Sequence, residues 1–292
     1  YDENGNVQTF ITGNGSGAGF SYDERNLVSA LHVGTASGET ILTETYEYDQ
    51  NGNRTTIDKK GSGKIQYEYG KLDQLVKETH ADGTVIQYTY DGFGNRTSVT
   101  TTKNGSAKTV DASFNIMNQL TKVNGESITY DKNGNRTSDG RFMYTWDAED
   151  NLTAVTKKGE DKPFVTYKYD ERGYRIQKNV NGKVTNYFYD GDGLHVLYET
   201  NENNEVTKSY TYGDTGQLLA YTKNGKKYFY HYNAHGDVIA LTDSAGKIVA
   251  KYEYDTWGIP TKTEESAEVK GNPYRYAGYR YDEETGLYYL IA

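Results

Sequence analysis

Residues 48–55 read YDQNGNRT, and nearly the same eight letters return at 90–97 (YDGFGNRT) and 130–137 (YDKNGNRT). Related forms stand at 1–7 (YDENGNV), 22–28 (YDERNLV) and 169–175 (YDERGYR). Looser copies follow the same grammar at Tyr69 (YGKLDQLV), Phe114 (FNIMNQLT), Trp146 (WDAEDNLT), Tyr212 (YGDTGQLL), Tyr232 (YNAHGDVI) and Tyr254 (YDTWGIP). With Tyr189 and Tyr281 these aromatics form one series, spaced roughly every 20 residues, and such self-similarity marks a repeat architecture.

The segments between anchors alternate tyrosine or β-branched residues with polar ones: TETYEYD (43–49), KIQYEYG (64–70), VIQYTYD (85–91), VTNYFYD (184–190), KKYFYHY (226–232) and AKYEYD (250–255). A period of two describes a half-buried strand. Asn-Gly and Asp-Gly pairs lie at 4–5, 51–52, 82–83, 104–105, 124–125, 133–134, 181–182 and 224–225. They predict hairpins closed by type I′ turns, which need positive φ at both central residues. Turns of the GNR kind (after Tyr48, Tyr90 and Tyr130) alternate with turns of the DNL or DQL kind (after Tyr22, Tyr69 and Trp146). The reading is an all-β fold of consecutive hairpins, with the anchor tyrosines buried between neighbouring strands. It divides into an array over 1–258, an exposed polar loop over 259–272 and a distinct aromatic segment over 273–292.

Composition narrows the function classes. Thirty tyrosines stand against only eight phenylalanines, so tyrosine supplies apolar area that aliphatic side chains do not. That suits thin sheets rather than one thick core. A net charge of −9 argues against a nucleic-acid surface, and no long basic run suggests an anionic membrane partner. The absence of cysteine excludes disulfides and thiolate metal sites. No apolar stretch is long enough to span a bilayer as a helix. Opening in mid-repeat at Tyr1 and stopping on an apolar run at Ala292 suggest a piece of a longer parent.

Candidate chemistry is thin. His231 and His235 are spaced as a metal pair on a helix would be, but they sit on a strand entering a turn and lack a third ligand. The DxNGN turns at Asp2, Asp49 and Asp131 resemble the opening of a calcium loop. The twelfth position, where an EF-hand needs glutamate, holds Gly13, Lys60 and Phe142. Asx-turn side chains holding hairpin geometry explain these turns more simply. No carboxylate pair stands out among the many, and no nucleophile motif occurs. The expectation is no catalytic, metal or cofactor residue.

Taken together, the tyrosine–aspartate anchors resemble the YD-repeat or Rhs (rearrangement hot spot) family along essentially the whole chain. The stretch YFYHYNAHGDVIALTDSAGKIVAKYEYDTWG (228–258) carries the more specific pattern, and PYRYAGYRYDEETGLYYLIA (273–292) resembles the start of the Rhs-associated core. The low-cysteine, Lys- and Asn-rich character is most similar to the wall-associated polymorphic toxins of Gram-positive bacteria. The resemblance implies a strip of β-hairpins spiralling into a hollow shell around a C-terminal toxin, commonly a nuclease. It also implies secretion, association with the cell wall, contact-dependent inhibition of neighbouring cells and an immunity protein for the toxin. Self-cleavage aspartates and the toxin find no counterpart before Ala292, so the implied role here is shell alone.

The competing reading is a cell-surface adhesive array whose outward tyrosines stack on glycans. Eukaryotic adhesion receptors with such repeats belong to that class, but their ectodomains usually carry disulfides. Tyrosine exposure separates the two readings.

Overall fold

The computed structural model describes residues 1–191 and 193–290, and antiparallel strands fill them. A single 3-10 turn, Tyr276–Gly278, is the only helical element among the described residues. The chain forms two compact units, Glu44–Phe164 and Tyr1–Thr43 together with Val165–Ala292.

In the first of these, strands follow one another in sequence order, each paired with the next. They run from the second half of Thr40–Tyr48 through Arg54–Lys59, Gly63–Tyr69, Leu75–His80, Val85–Tyr90 and Arg96–Lys103 to Ser106–Phe114, Leu120–Val123 and Glu126–Ser127. A further meander runs from Thr129–Tyr130 to Leu152–Lys157. The other unit holds the meander Thr9–Ile11, Gly17–Tyr22 and Val28–Gly34, and a longer one from Val165–Tyr169 to Pro260–Glu265. Its last strands, Arg280–Asp282 and Leu287–Tyr289, pair with each other. Residues 291 and 292 of the expected closing segment lie outside the described residues.

The motif builds its turn from one aspartate. Asp49 Oδ1 accepts from the Asn51 and Asn53 amides at 2.9 and 2.8 Å, while Gly52 N–H donates to the Asp49 carbonyl. The same pattern recurs at Asp2, Asp91, Asp131 and Asp170. The result is a three-residue turn ending on one left-handed residue. The type I′ expectation therefore holds at 104–105, 124–125, 181–182 and 224–225, where Asn and Gly both have positive φ. At 4–5, 51–52, 82–83 and 133–134 only the glycine does. In the DNL-type turns Asn26, Asp73 or Asp150 takes the left-handed place. Their side chains accept from the preceding turn: Asn51 and Asn53 both reach Asp73 Oδ1 at 2.8 Å. Asn133 and Asn135 meet Asp150 in the same way. This cross-link is the physical reason the two turn types alternate.

The anchors differ from expectation. Tyr90, Tyr130 and Tyr169 are half-buried, and the residue two positions earlier is the buried one: Tyr88, Ile128 and Tyr167, and likewise Tyr46, Tyr144, Tyr210 and Tyr252 before their own anchors. A one-residue register shift just before each anchor carries it off the packed face. Its hydroxyl then donates to the carbonyl of the residue leaving the preceding turn. Tyr69 reaches Arg54 O at 2.8 Å, Tyr90 reaches Leu75 O at 2.7 Å and Tyr254 reaches Val238 O at 2.8 Å. The Trp146 indole N–H does the same to Arg136 O at 2.7 Å.

The segment 259–272, expected as an exposed loop, is mostly exposed but is not loop throughout. Pro260–Glu265 is a strand paired with Ile248–Tyr254, and Val269 and Asn272 beyond it are buried. Pro260 opens the strand, where its missing N–H is tolerated.

Candidate functional site

The sequence candidates separate in space. His231 is buried and its Nε2 meets Thr242 Oγ1 at 2.8 Å. Burial alone pushes its pKa down to about 4. His235 is exposed and pairs through Nδ1 with Asp237 Oδ1 at 2.8 Å. Among the described residues no group of three or more His, Asp or Glu side chains is arranged to hold a metal. The Asp2, Asp49 and Asp131 carboxylates are used by their own turn amides, as the Asx reading expects.

His231 occupies the place between two tyrosines that Glu47, Thr89 and Lys168 fill elsewhere with exposed side chains. It is covered because the hairpin at 12–16 lies on that face. Asn14 Nδ2 donates to Thr242 Oγ1 at 2.9 Å and to the Asp243 carbonyl at 2.6 Å. Gly13 packs so close to the Phe229 ring that an added Cβ would sit 3.4 Å from it.

The most elaborate cluster in the structure lies where residues 272–290 pack into the hairpins from Val165 onward. Asp282 accepts from Arg175 at 2.6 and 3.2 Å, from Lys178 Nζ at 2.9 Å and from the Tyr167 hydroxyl at 3.2 Å. Arg280 meets Glu199, which also receives the Tyr210 hydroxyl at 2.7 Å and Lys208 Nζ at 3.3 Å. Arg275 pairs with Glu265 at 2.9 Å, and Tyr252 donates to the same carboxylate at 2.7 Å. Tyrosine rings face the guanidiniums: Arg275 lies 4.1 Å above Tyr252, Arg280 4.6 Å above Tyr187, and Arg175 4.2 Å above Tyr289 and 5.0 Å above Tyr167. All three arginines are buried, as are Asp282 and Glu199, and Glu265 is partly buried. Unpaired charges would be expelled from such a place, whereas matched and forked pairs can stay.

Titration follows from these contacts. Burial pushes Asp282 up, but Arg175 and Lys178 outweigh it and hold its carboxyl at about 2. Burial also raises Glu199, and Lys208 and Arg280 reverse that to well below the usual range. Burial drives the Tyr210 phenol far up, with Glu199 adding to it. These groups keep one protonation state near neutrality, so they are suited to locking rather than to proton transfer. Sequence reading missed them. The signal was arginine and aspartate set inside the densest aromatic run, PYRYAGYRYD, where charges have nowhere to go except a matched interior.

The teneurin YD-shell family model matches residues 8–291. The chain belongs to the YD-shell family. It is 80% identical over all 292 residues to the tRNA3(Ser)-specific nuclease WapA of Bacillus spizizenii and to the tRNA nuclease WapA of Bacillus subtilis. It spans about 12% of the length of each of these relatives. Among solved structures, the crystal structure of TcdB2-TccC3-Cdc42 superimposes with a TM-score of 0.79 at 19% identity, covering 99% of this chain and 17% of that one. That likeness places the YD-shell hairpins described above in the same fold. No helix among the described residues is long and apolar enough to cross a membrane.

Proposed function

We propose that this chain is wall material: a segment of the β-hairpin shell of a secreted, wall-associated toxin, enclosing and delivering a C-terminal toxin in competition between bacteria. The observation that carries the reading is identity of 80%, end to end, with a 12% slice of the WapA nucleases. In this reading the segment itself does no chemistry. A nuclease elsewhere in the parent would supply the activity, with an immunity protein guarding the producer. The buried ionic lock supports the assignment, because a container must resist opening and its contacts hold fixed charge states. The adhesive alternative loses its premise, since the tyrosines facing the packed side are buried and the anchors spend their hydroxyls on backbone carbonyls.

Protease protection tests the proposal. In the intact parent, the region C-terminal to this segment should resist digestion under native conditions and become cleavable once the lock is broken by Arg175→Met. Purified 1–292 should leave tRNA intact. Equal digestion of the C-terminal region in both proteins, or tRNA cleavage by 1–292 that one substitution abolishes, would defeat it.

A further inference from the structure

The Arg175 site has an internal counterpart. In the repeat that carries it, Tyr167 is buried, Tyr169 is the anchor, Asp170 sets the turn and Arg175 leaves it. Residues Tyr46, Tyr48, Asp49 and Arg54 stand at the same offsets. The Arg54 guanidinium lies over the buried Tyr46 ring at 4.5 Å, as Arg175 lies over Tyr167 at 5.0 Å. What differs is the occupant. Arg175 grips a carboxylate with both terminal nitrogens, whereas Arg54 has no ion pair among the described residues; the buried Nε lacks a hydrogen-bond partner in both. Tyr46 donates its hydroxyl to Glu44 Oε2 at 2.6 Å, whereas Tyr167 donates to the bound Asp282. Arg96 over Tyr88, at 5.7 Å, repeats the placement one full motif later.

We propose that the Arg54–Tyr46 notch is a binding site for a carboxylate-bearing polypeptide segment, an aspartate or glutamate flanked by aromatic residues. The occupied copy supplies the chemistry: Tyr-Arg-Tyr-Asp at 279–282 places Asp282 on Arg175 while Tyr289 covers the guanidinium. Stacking on tyrosine restrains the planar guanidinium, and a carboxylate gains two parallel charge-assisted bonds that an amide cannot reproduce. The identity of the natural occupant as part of the enclosed chain rests on the containment reading above. The chemistry of the notch does not.

Two synthetic peptides are the probes: residues 279–290, and the same peptide carrying Asp282→Asn. Each is titrated into the full 292-residue chain while the arginine Nε–Hε resonances are followed by NMR. The aspartate peptide should shift the Arg54 resonance, and the asparagine peptide should bind at least about tenfold more weakly, as expected for loss of a charge-assisted pair. Arg54→Gln should abolish the saturable response, and Arg54→Lys should retain part of it. Equal affinity for the two peptides, no response at Arg54, or undiminished binding to Arg54→Gln would overturn the proposal. So would a uridine oligonucleotide that outcompetes the aspartate peptide, since that assigns the fork to phosphate. Should Arg54→Gln fail to fold, the peptide pair still decides, because only the ligand changes. Protease protection of the parent is unaffected by this titration, so failure of the notch and failure of containment are separately visible.

Discussion

Asp282→Asn is the substitution that most directly probes how the C-terminal strands are held. The side chain is nearly inaccessible and faces Arg175, Lys178 and the Tyr167 hydroxyl. An amide of the same shape leaves the packing but deprives buried Arg175, 4.2 Å from the Tyr289 ring, of its one carboxylate partner among the described residues. Removing one partner of a buried pair costs about 3–5 kcal/mol. Lys178 keeps Glu284 at 2.8 Å, which moves the expectation to the lower half of that range. Urea unfolding of the full chain, followed by tyrosine fluorescence and by hydrogen exchange at 280–289, reads the loss. The pH profile is an independent check. Asp282 has its folded pKa depressed to about 2 from 3.8, so its contribution is complete above about 4 and disappears as pH falls through 2. The linkage amounts to about 2 kcal/mol for a group so buried. Wild type should lose that stability in acid, and Asp282→Asn should lose correspondingly less. A destabilisation below about 1 kcal/mol, with an unchanged acid profile, would refute the lock and reduce the seam to incidental packing.

Other expectations follow from single contacts. Tyr90→Phe removes only the bond to Leu75 O and should cost about 1 kcal/mol, while Tyr88→Ala, on the packed face, should cost about 3 kcal/mol or more in the same unfolding assay. Gly134→Val should destabilise by about 1 kcal/mol or more, because φ is +92° there and the side chain would crowd Gln119. A neutral result in chemical denaturation would contradict that geometry. His231 is buried neutral, with its pKa lowered from 6.5 to about 4, so the unfolded chain binds the extra proton between those values. Stability is intact above 6.5 and falls as pH drops toward 4, by up to about 3 kcal/mol, and His231→Gln should flatten that slope in a pH series of melts.

The all-β hairpin order was legible because it is written locally. Alternation, anchor spacing and left-handed Gly, Asn or Asp positions act within one hairpin, and neighbours in sequence became neighbours in the sheet. Even the alternation of GNR and DNL turns could be seen, although its cause, the Asn51–Asp73 kind of bond, could not. Local reading went wrong where one residue changes face. The register shift before each anchor moved burial from Tyr90 to Tyr88, and a period-two pattern has no mark for a bulge. It went wrong again at Pro260–Glu265, where a polar stretch became a strand because Ile248–Tyr254 offered it an edge.

The ionic seam lies beyond any such reading. Arg175 and Asp282 are 107 residues apart, and Arg280 and Glu199 are 81 apart. A charge in a sequence looks the same whether water or a guanidinium will surround it. The repeat by itself determined the strand order, the turns and the thin tyrosine-rich faces, because those depend on bonds among residues close along the chain. Only the tertiary structure decided which arginines bind a carboxylate. That choice depends on what a distant segment brings into a low-dielectric interior, where a matched pair is held and an unmatched one is expelled.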